Sequence, residues 1–290
     1  MQQTRSPNST ALQTNDHNRQ HVGEPKMTDQ NMPNTITRRE VMITAGTVAA
    51  VGAVAQALGT SALAQSATGK IKAVGFDAFT IFSPFSVDAV VDEHFPGKGG
   101  QLAGAWRVRI FEYCWLRTLN RTYVDFWQVI DEALSFAVKA AKIELRPDVR
   151  VKLMDAFLQV KPWPDSVEAL KSMRKAGIRL AYVSNLTPKM LNTMSQKAGI
   201  ADLFEHVLST DRVKAYKSDP RAYKMAEDAF KLPRKNIVFA AFGGWDASGA
   251  KSFGLNTFWV NRANAPLEEL GVKPDATGTT LTELAKYVTA

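Results

Sequence analysis

Lys72-Ala73-Val74-Gly75-Phe76-Asp77-Ala78-Phe79-Thr80-Ile81-Phe82 sets a short apolar run directly against one carboxylate. The run before Asp77 has no polar alternation, so it predicts a strand buried on both faces. Similar runs recur at Ile178–Val183, Val207–Leu208, Ile237–Ala241 and Thr257–Val260. Helical patterns separate them at Ser166–Ala176, Pro188–Ala198, Pro220–Phe230 and Trp245–Phe253. Strands alternating with helices imply an α/β fold, with a parallel sheet covered on both faces.

One stretch breaks this alternation. From Pro84 to Val160 the sequence offers helical segments and no convincing strand. Leu102, Trp106, Ile110, Tyr113 and Leu116 follow helical spacing, and Phe126–Ala140 and Val149–Leu158 continue the pattern. The expected organisation is a Rossmann-like core over residues 65–83 and 161–290, with a helical cap at 84–160 inserted between the first and second core strands. Caps over the carboxyl ends of strands close active sites.

The first 64 residues read differently. Residues 1–36 are rich in Asn, Gln, Thr and Ser and have little to bury, which predicts disorder. Arg38-Arg39 then precedes a mildly apolar stretch to Leu63, closed by Ala62-Leu63-Ala64. This resembles a twin-arginine export signal cleaved near Ala64, which implies an encounter with export machinery and a periplasmic mature protein. A membrane anchor needs ~20 strongly apolar residues, and the Ala, Gly and Thr content here is too weakly hydrophobic to favour one. The single cysteine, Cys114, excludes an intramolecular disulfide. The 290 residues carry a net charge of +8, but Lys and Arg are scattered without a basic run, so nucleic acid is not an expected partner. The excess charge favours small anionic ligands.

Polar residues cluster at the ends of the predicted strands. Asp77 closes the first, where ligands of α/β sheets bind, although an Asp that merely caps a loop fits the position equally well. Ser184-Asn185 ends the second. Lys217 comes after the third, in Asp211-Arg212-Val213-Lys214-Ala215-Tyr216-Lys217-Ser218. Asp246 comes after the fourth, in Phe242-Gly243-Gly244-Trp245-Asp246-Ala247. A lysine in such a place is usually solvated, and an Asp in a first helical turn is common. Taken in order, the four form a much more specific pattern.

That order resembles the haloacid-dehalogenase-like superfamily from about Ile71 to the end of the chain. Trp106-Arg107, Phe111-Glu112-Tyr113-Cys114-Trp115-Leu116-Arg117 and Asp125-Phe126-Trp127 are similar to the cap of type II L-2-haloacid dehalogenases. Ser184-Asn185, Tyr216-Lys217, Trp245-Asp246-Ala247 and Phe258-Trp259-Val260-Asn261-Arg262 fit the same subgroup. The resemblance implies hydrolysis of small 2-haloalkanoic acids to 2-hydroxy acids, with Asp77 attacking C2 to give an ester and inverted configuration. It implies that Lys217 keeps Asp77 ionised and that Asp246 positions Lys217 and the hydrolytic water. Arg107 would stabilise the leaving halide, helped by Asn185 and the Trp245 region. Thr80 and Ser184 are the candidates for holding the substrate carboxylate. No cofactor or metal is implied, and a dimer through the cap helices is what the resemblance suggests.

Several positions depart from the subgroup. A Gly is missing between Phe79 and Thr80, Ser83 replaces a frequent Asp, and Leu186 replaces the Gly usual after Ser-Asn. Ala241 and Gly243 stand where Ser and Asn are common. These departures leave two alternatives open. A Mg²⁺-dependent phosphatase of the same superfamily, with the metal on Asp77 and Asp246, would need an acid two residues after Asp77, where Phe79 stands. A catalytically weak carboxylate-binding relative would fit the loss of polar groups near the water site. His94 and His206 fall in no recognisable motif, and no G-x-S-x-G elbow is present.

Overall fold

The computed structural model describes residues 70–290. The Arg38-Arg39 stretch and the cleavage expected near Ala64 lie outside the described residues. Among the described residues six parallel strands form one sheet: β1 (Ala73–Phe76), β2 (Arg179–Ser184), β3 (His206–Ser209), β4 (Ile237–Ala241), β5 (Asn256–Val260) and β6 (Ala276–Gly278). Their order is β3-β2-β1-β4-β5-β6, which puts β1 at the centre, between β2 and β4. The apolar runs fill both faces, as expected of a covered parallel sheet. Val74, Phe76, Leu180, Tyr182, Val238 and Ala240 pack on one side, and Ala73, Ala181, Val183, Phe239 and Ala241 on the other. Gly75 suits this packing, because a Cβ there would lie 3.0 Å from Val183 Cγ2, which would have to yield by a few tenths of an ångström.

Ten α-helices accompany the strands among the described residues. One turn, α1 (Ala78–Ile81), succeeds β1. Then come α2 (Ser86–His94), α3 (Gly99–Leu119), α4 (Phe126–Ala140) and α5 (Pro147–Ala156), all before β2. The core helices are α6 (Ser166–Lys175), α7 (Pro188–Lys197), α8 (Pro220–Phe230), α9 (Gly244–Phe253) and α10 (Leu281–Thr289). Starts and stops obey local chemistry. Thr187 caps α7 and Asp219 caps α8, each with Pro at the first position, while Gly254 ends α9 at φ 97°. The buried side of the inserted helices joins the core on one face of the sheet, and there the Trp106 indole donates to Ile130 O at 2.9 Å and packs edge-on against Phe157.

Two expectations need correction. The buried stripe of α3 runs Leu102, Trp106, Ile110, Cys114, whereas Leu116 is exposed. Near its end the stripe advances by four rather than three, which turns Leu116 to solvent. The short β6 and the last helix, α10, were not expected. Ala276-Thr277-Gly278 holds no apolar run and is a strand only because β5 pairs with it.

Candidate active site

Asp77 stands where β1 ends. Its N–H continues the sheet by donating to Ala240 O at 2.9 Å, and its side chain then caps α1, with Oδ1 accepting from Phe79 N–H at 2.8 Å. A one-turn helix cannot satisfy its own last carbonyls, and distant groups do so here. Trp163 Nε1 donates to Phe79 O at 3.0 Å and Arg262 Nη2 to Thr80 O at 2.9 Å. Ser166 Oγ donates to Ile81 O at 2.8 Å. Arg262 is held in turn by Asp165 at 2.7 Å, and its guanidinium lies over the Trp163 ring. The backbone N–H that aims Asp77 is thereby fixed from the far side of the loop.

The other oxygen of Asp77 meets a cation. Lys217 Nζ lies 2.5 Å from Asp77 Oδ2 and 2.7 Å from Asp246 Oδ2, and Lys217 is completely buried. Asp246 enters from the first turn of α9, and its Oδ1 accepts from the Tyr223 hydroxyl at 2.8 Å. The Lys217 loop is tied down on both sides. Lys217 N–H donates to Asn185 Oδ1 at 3.0 Å, while Tyr216 N–H donates to Thr118 Oγ1 of α3 at 3.0 Å. Burial alone would push the Lys217 ammonium down, but the charges of Asp246 and Asp77 outweigh it and hold its pKa above the usual value. Burial lifts Asp246 to about 6, against the pull of Lys217 and with the push of Asp77. Two carboxylates thus share one ammonium. With all three ionised the cluster keeps one negative charge, and only Asp77 of the three lines a cavity.

That cavity, of about 80 Å³, is bounded by Asp77, Asn185, Leu186, Phe242 and Trp245 from the core and by Phe111 and Phe126 from the cap helices. Trp245 meets Phe111 and Trp115 of α3 at ring separations of 5.3 and 5.5 Å. Asn185 has committed its oxygen to Lys217 N–H, so its amide nitrogen is the group left to meet a ligand.

The profile of the haloacid dehalogenase-like hydrolase family matches residues 34–254. The chain belongs to this family. Among its relatives, the (S)-2-haloacid dehalogenase of Pseudomonas sp. (strain YL) is 39% identical over 206 residues, 71% of this chain and 89% of the relative. Haloacetate dehalogenase H-2 of Moraxella sp. (strain B) is 35% identical over 209 residues, covering 72% and 93%. A crystal structure of an L-2-haloacid dehalogenase shares 38% identity at a TM-score of 0.75, over 77% of this chain and all 100% of that one. The Xanthobacter autotrophicus L-2-haloacid dehalogenase with chloropropionic acid covalently bound shares 29% identity at a TM-score of 0.68, covering 75% and 98%.

In this haloacid dehalogenase-like hydrolase not every residue expected at the site reaches it. Asp77, Lys217, Asp246, Asn185 and Trp245 come together. Thr80 and Ser184, expected to hold a substrate carboxylate, do not line the cavity. The Thr80 hydroxyl donates to Asp77 O at 2.7 Å, and Ser184 Oγ accepts from Leu186 N–H at 3.2 Å. Each hydroxyl finds a backbone partner two or three residues away and shapes a loop instead. Arg107 lines a neighbouring cavity with Asp88, separated from Asp77 by a shared wall of Phe79, Phe111, Phe126 and Phe242.

The departures from the subgroup have visible consequences. A Cβ on Gly243 would lie 2.7 Å from Trp245 Nε1, so the indole occupies the room that a side chain at 243 would need. Leu186 is buried on the cavity wall, its carbonyl pinned by Ser209 Oγ at 2.8 Å. Tyr223 and Phe242 were missed by sequence reasoning. Nothing about a tyrosine inside α8 signals a carboxylate partner 23 residues downstream. Phe242 could have been found, as the one large apolar residue between β4 and two glycines.

Proposed function

We propose that the protein hydrolyses the carbon–halogen bond of small L-2-haloalkanoic acids through an ester on Asp77. The observation that carries this reading is the Asp77 carboxylate, clamped by Phe79 N–H and the Lys217 ammonium at the edge of a small, mostly apolar cavity. A paired, partly dry carboxylate is poorly hydrated, which suits a nucleophile. Asp77 Oδ bonds to C2 as the carbon–halogen bond breaks, and the pair of electrons leaves with the halide. Water then adds to the Asp77 ester carbonyl, releasing the 2-hydroxy acid and regenerating the carboxylate. Asp246, with its pKa lifted to about 6 and 2.7 Å from Lys217 Nζ, suits acceptance of that water's proton by relay, the ammonium passing one proton to Asp246 and taking one from the water. The apolar Phe79, two residues after Asp77, can give no proton to an alkoxide leaving group, a lack that disfavours phosphate-ester hydrolysis but not loss of a halide. Single turnover of L-2-chloropropionate in ¹⁸O-water tests the route. The label is expected in the Asp77 side chain, and label passing straight into lactate would refute the ester.

We also infer, from Arg38-Arg39 and Ala62-Leu63-Ala64, export by the twin-arginine route and a periplasmic mature enzyme. Val108, Leu116 and Leu119 leave α3 exposed apolar surface consistent with dimerisation through the cap helices. Amino-terminal sequencing of the periplasmic fraction and light scattering of the purified protein test both. An uncleaved cytoplasmic chain or a monomer would overturn them.

A further inference from the structure

The dehalogenase reading gives Arg107 the halide, yet the guanidinium pairs with Asp88 and lines a different cavity from Asp77. Its Nη2 donates to both carboxylate oxygens of Asp88, with Oδ2 at 2.5 Å, and its carbon lies 5.0 Å from the centre of the Phe85 ring. Asp88 is the third residue of α2 and Arg107 lies midway along α3, so the pair bridges two cap helices. Among the described residues lining the two cavities, Arg107 is the sole cation, and Asp88 neutralises it. The two side chains are 34% and 29% exposed, so neither is locked in the core. A pair this accessible contributes little to folding, and its long arginine can exchange partners readily.

We propose that Asp88 is a positioning residue that holds Arg107 back from the Asp77 cavity, so that an incoming anion must win the guanidinium from it. The nature of that anion, substrate carboxylate or departing halide, rests on the proposed dehalogenase activity. Competition by Asp88 weakens binding of the anion, and its recapture of Arg107 helps expel the halide. Phe79 and Phe242, in edge contact at 6.1 Å, form the part of the wall across which the guanidinium would reach.

The test uses D88N, R107Q and the double variant in the full chain. Propionate, an unreactive carboxylate, and bromide are titrated by calorimetry, and halide release from L-2-chloropropionate is monitored in parallel. Freeing Arg107 in D88N is expected to tighten propionate and lower KM by roughly 2- to 5-fold, the size of a partly exposed ion pair. The kcat is expected to stay the same or fall, and the gain is expected to vanish in the double variant. A purely structural role would lower the melting temperature without improving affinity. Unchanged or weaker propionate binding in D88N, or an equal gain without Arg107, would overturn the proposal. The two readings also separate. If the wild type releases no halide but D88N tightens propionate through Arg107, the dehalogenase reading falls and the restraint stands. If the wild type turns over and D88N leaves KM and propionate affinity unmoved, the restraint falls alone.

Discussion

Replacing Lys217 with Met keeps the side chain unbranched but one atom shorter, and removes the one cation between two buried carboxylates. At about 3 Å and an effective dielectric of about 20, each carboxylate attracts the ammonium by about 5 kcal/mol. Desolvation of three charged groups offsets much of this, and breaking a buried pair by removing one partner costs about 3–5 kcal/mol. The cost must depend on pH, because the stranded carboxylates can escape it by taking up a proton. Asp246 already has a folded-state pKa raised to about 6 in the presence of Lys217. A raised carboxyl pKa means that stability is greatest below the unfolded value, near 4, and is lost as pH rises through the folded value. Without Lys217 that folded value moves above 6. The variant should therefore lose about 1.4 kcal/mol of stability per pH unit beyond the point where the wild type levels off. Urea unfolding at pH 5, 6, 7 and 8 measures this. The gap between wild type and K217M is expected to widen across the series and exceed about 3 kcal/mol at pH 8, with halide release abolished. If K217M fails to fold at neutral pH, K217M/D246N serves instead, since removing one of the two carboxylates should restore about 2 kcal/mol. A deficit under about 1 kcal/mol that stays flat with pH would refute the argument that the ammonium is the buried counter-charge.

The same cluster and its scaffold give two further expected outcomes. Protonation of Asp246 below about pH 6 removes the proposed proton acceptor, so ester hydrolysis should fall about tenfold per unit below that point; a quench-flow and mass-spectrometric count of esterified Asp77 that stays constant down to pH 5 would contradict this. R262M strips a donor from Thr80 O and strands the Asp165 carboxylate, so kcat should fall about tenfold with KM nearly unchanged, and R262K should recover part of it; a pure change in KM would show that Arg262 does not position the Asp77 loop.

Much of the architecture was legible because it is written locally. Each of β1 to β5 contains a short apolar run, and the polar residues that follow these runs come to the carboxyl edge of the sheet. Asp77, Asn185, Lys217 and Asp246 were singled out by their order after four successive strands and by the family resemblance that this order carries. The insertion was visible because helical spacing persists over a long stretch without an intervening strand. β6 escaped because three unremarkable residues pair only when β5 is already beside them.

Local patterning, then, dictates which residues arrive at the carboxyl edge of the sheet. The task of each side chain once there was settled by packing in three dimensions. Thr80 and Ser184 turned to backbone atoms two or three residues away, Arg107 turned to Asp88 on the adjacent helix, and Asp246 gained a hydroxyl from Tyr223. Arg262 reached back across 182 positions to Thr80. The division arises because burial is set by apolar patterning, a property of neighbours in sequence. Hydrogen bonds and ion pairs go to whichever partner stands within about 3 Å in space, and no spacing along the chain records that distance.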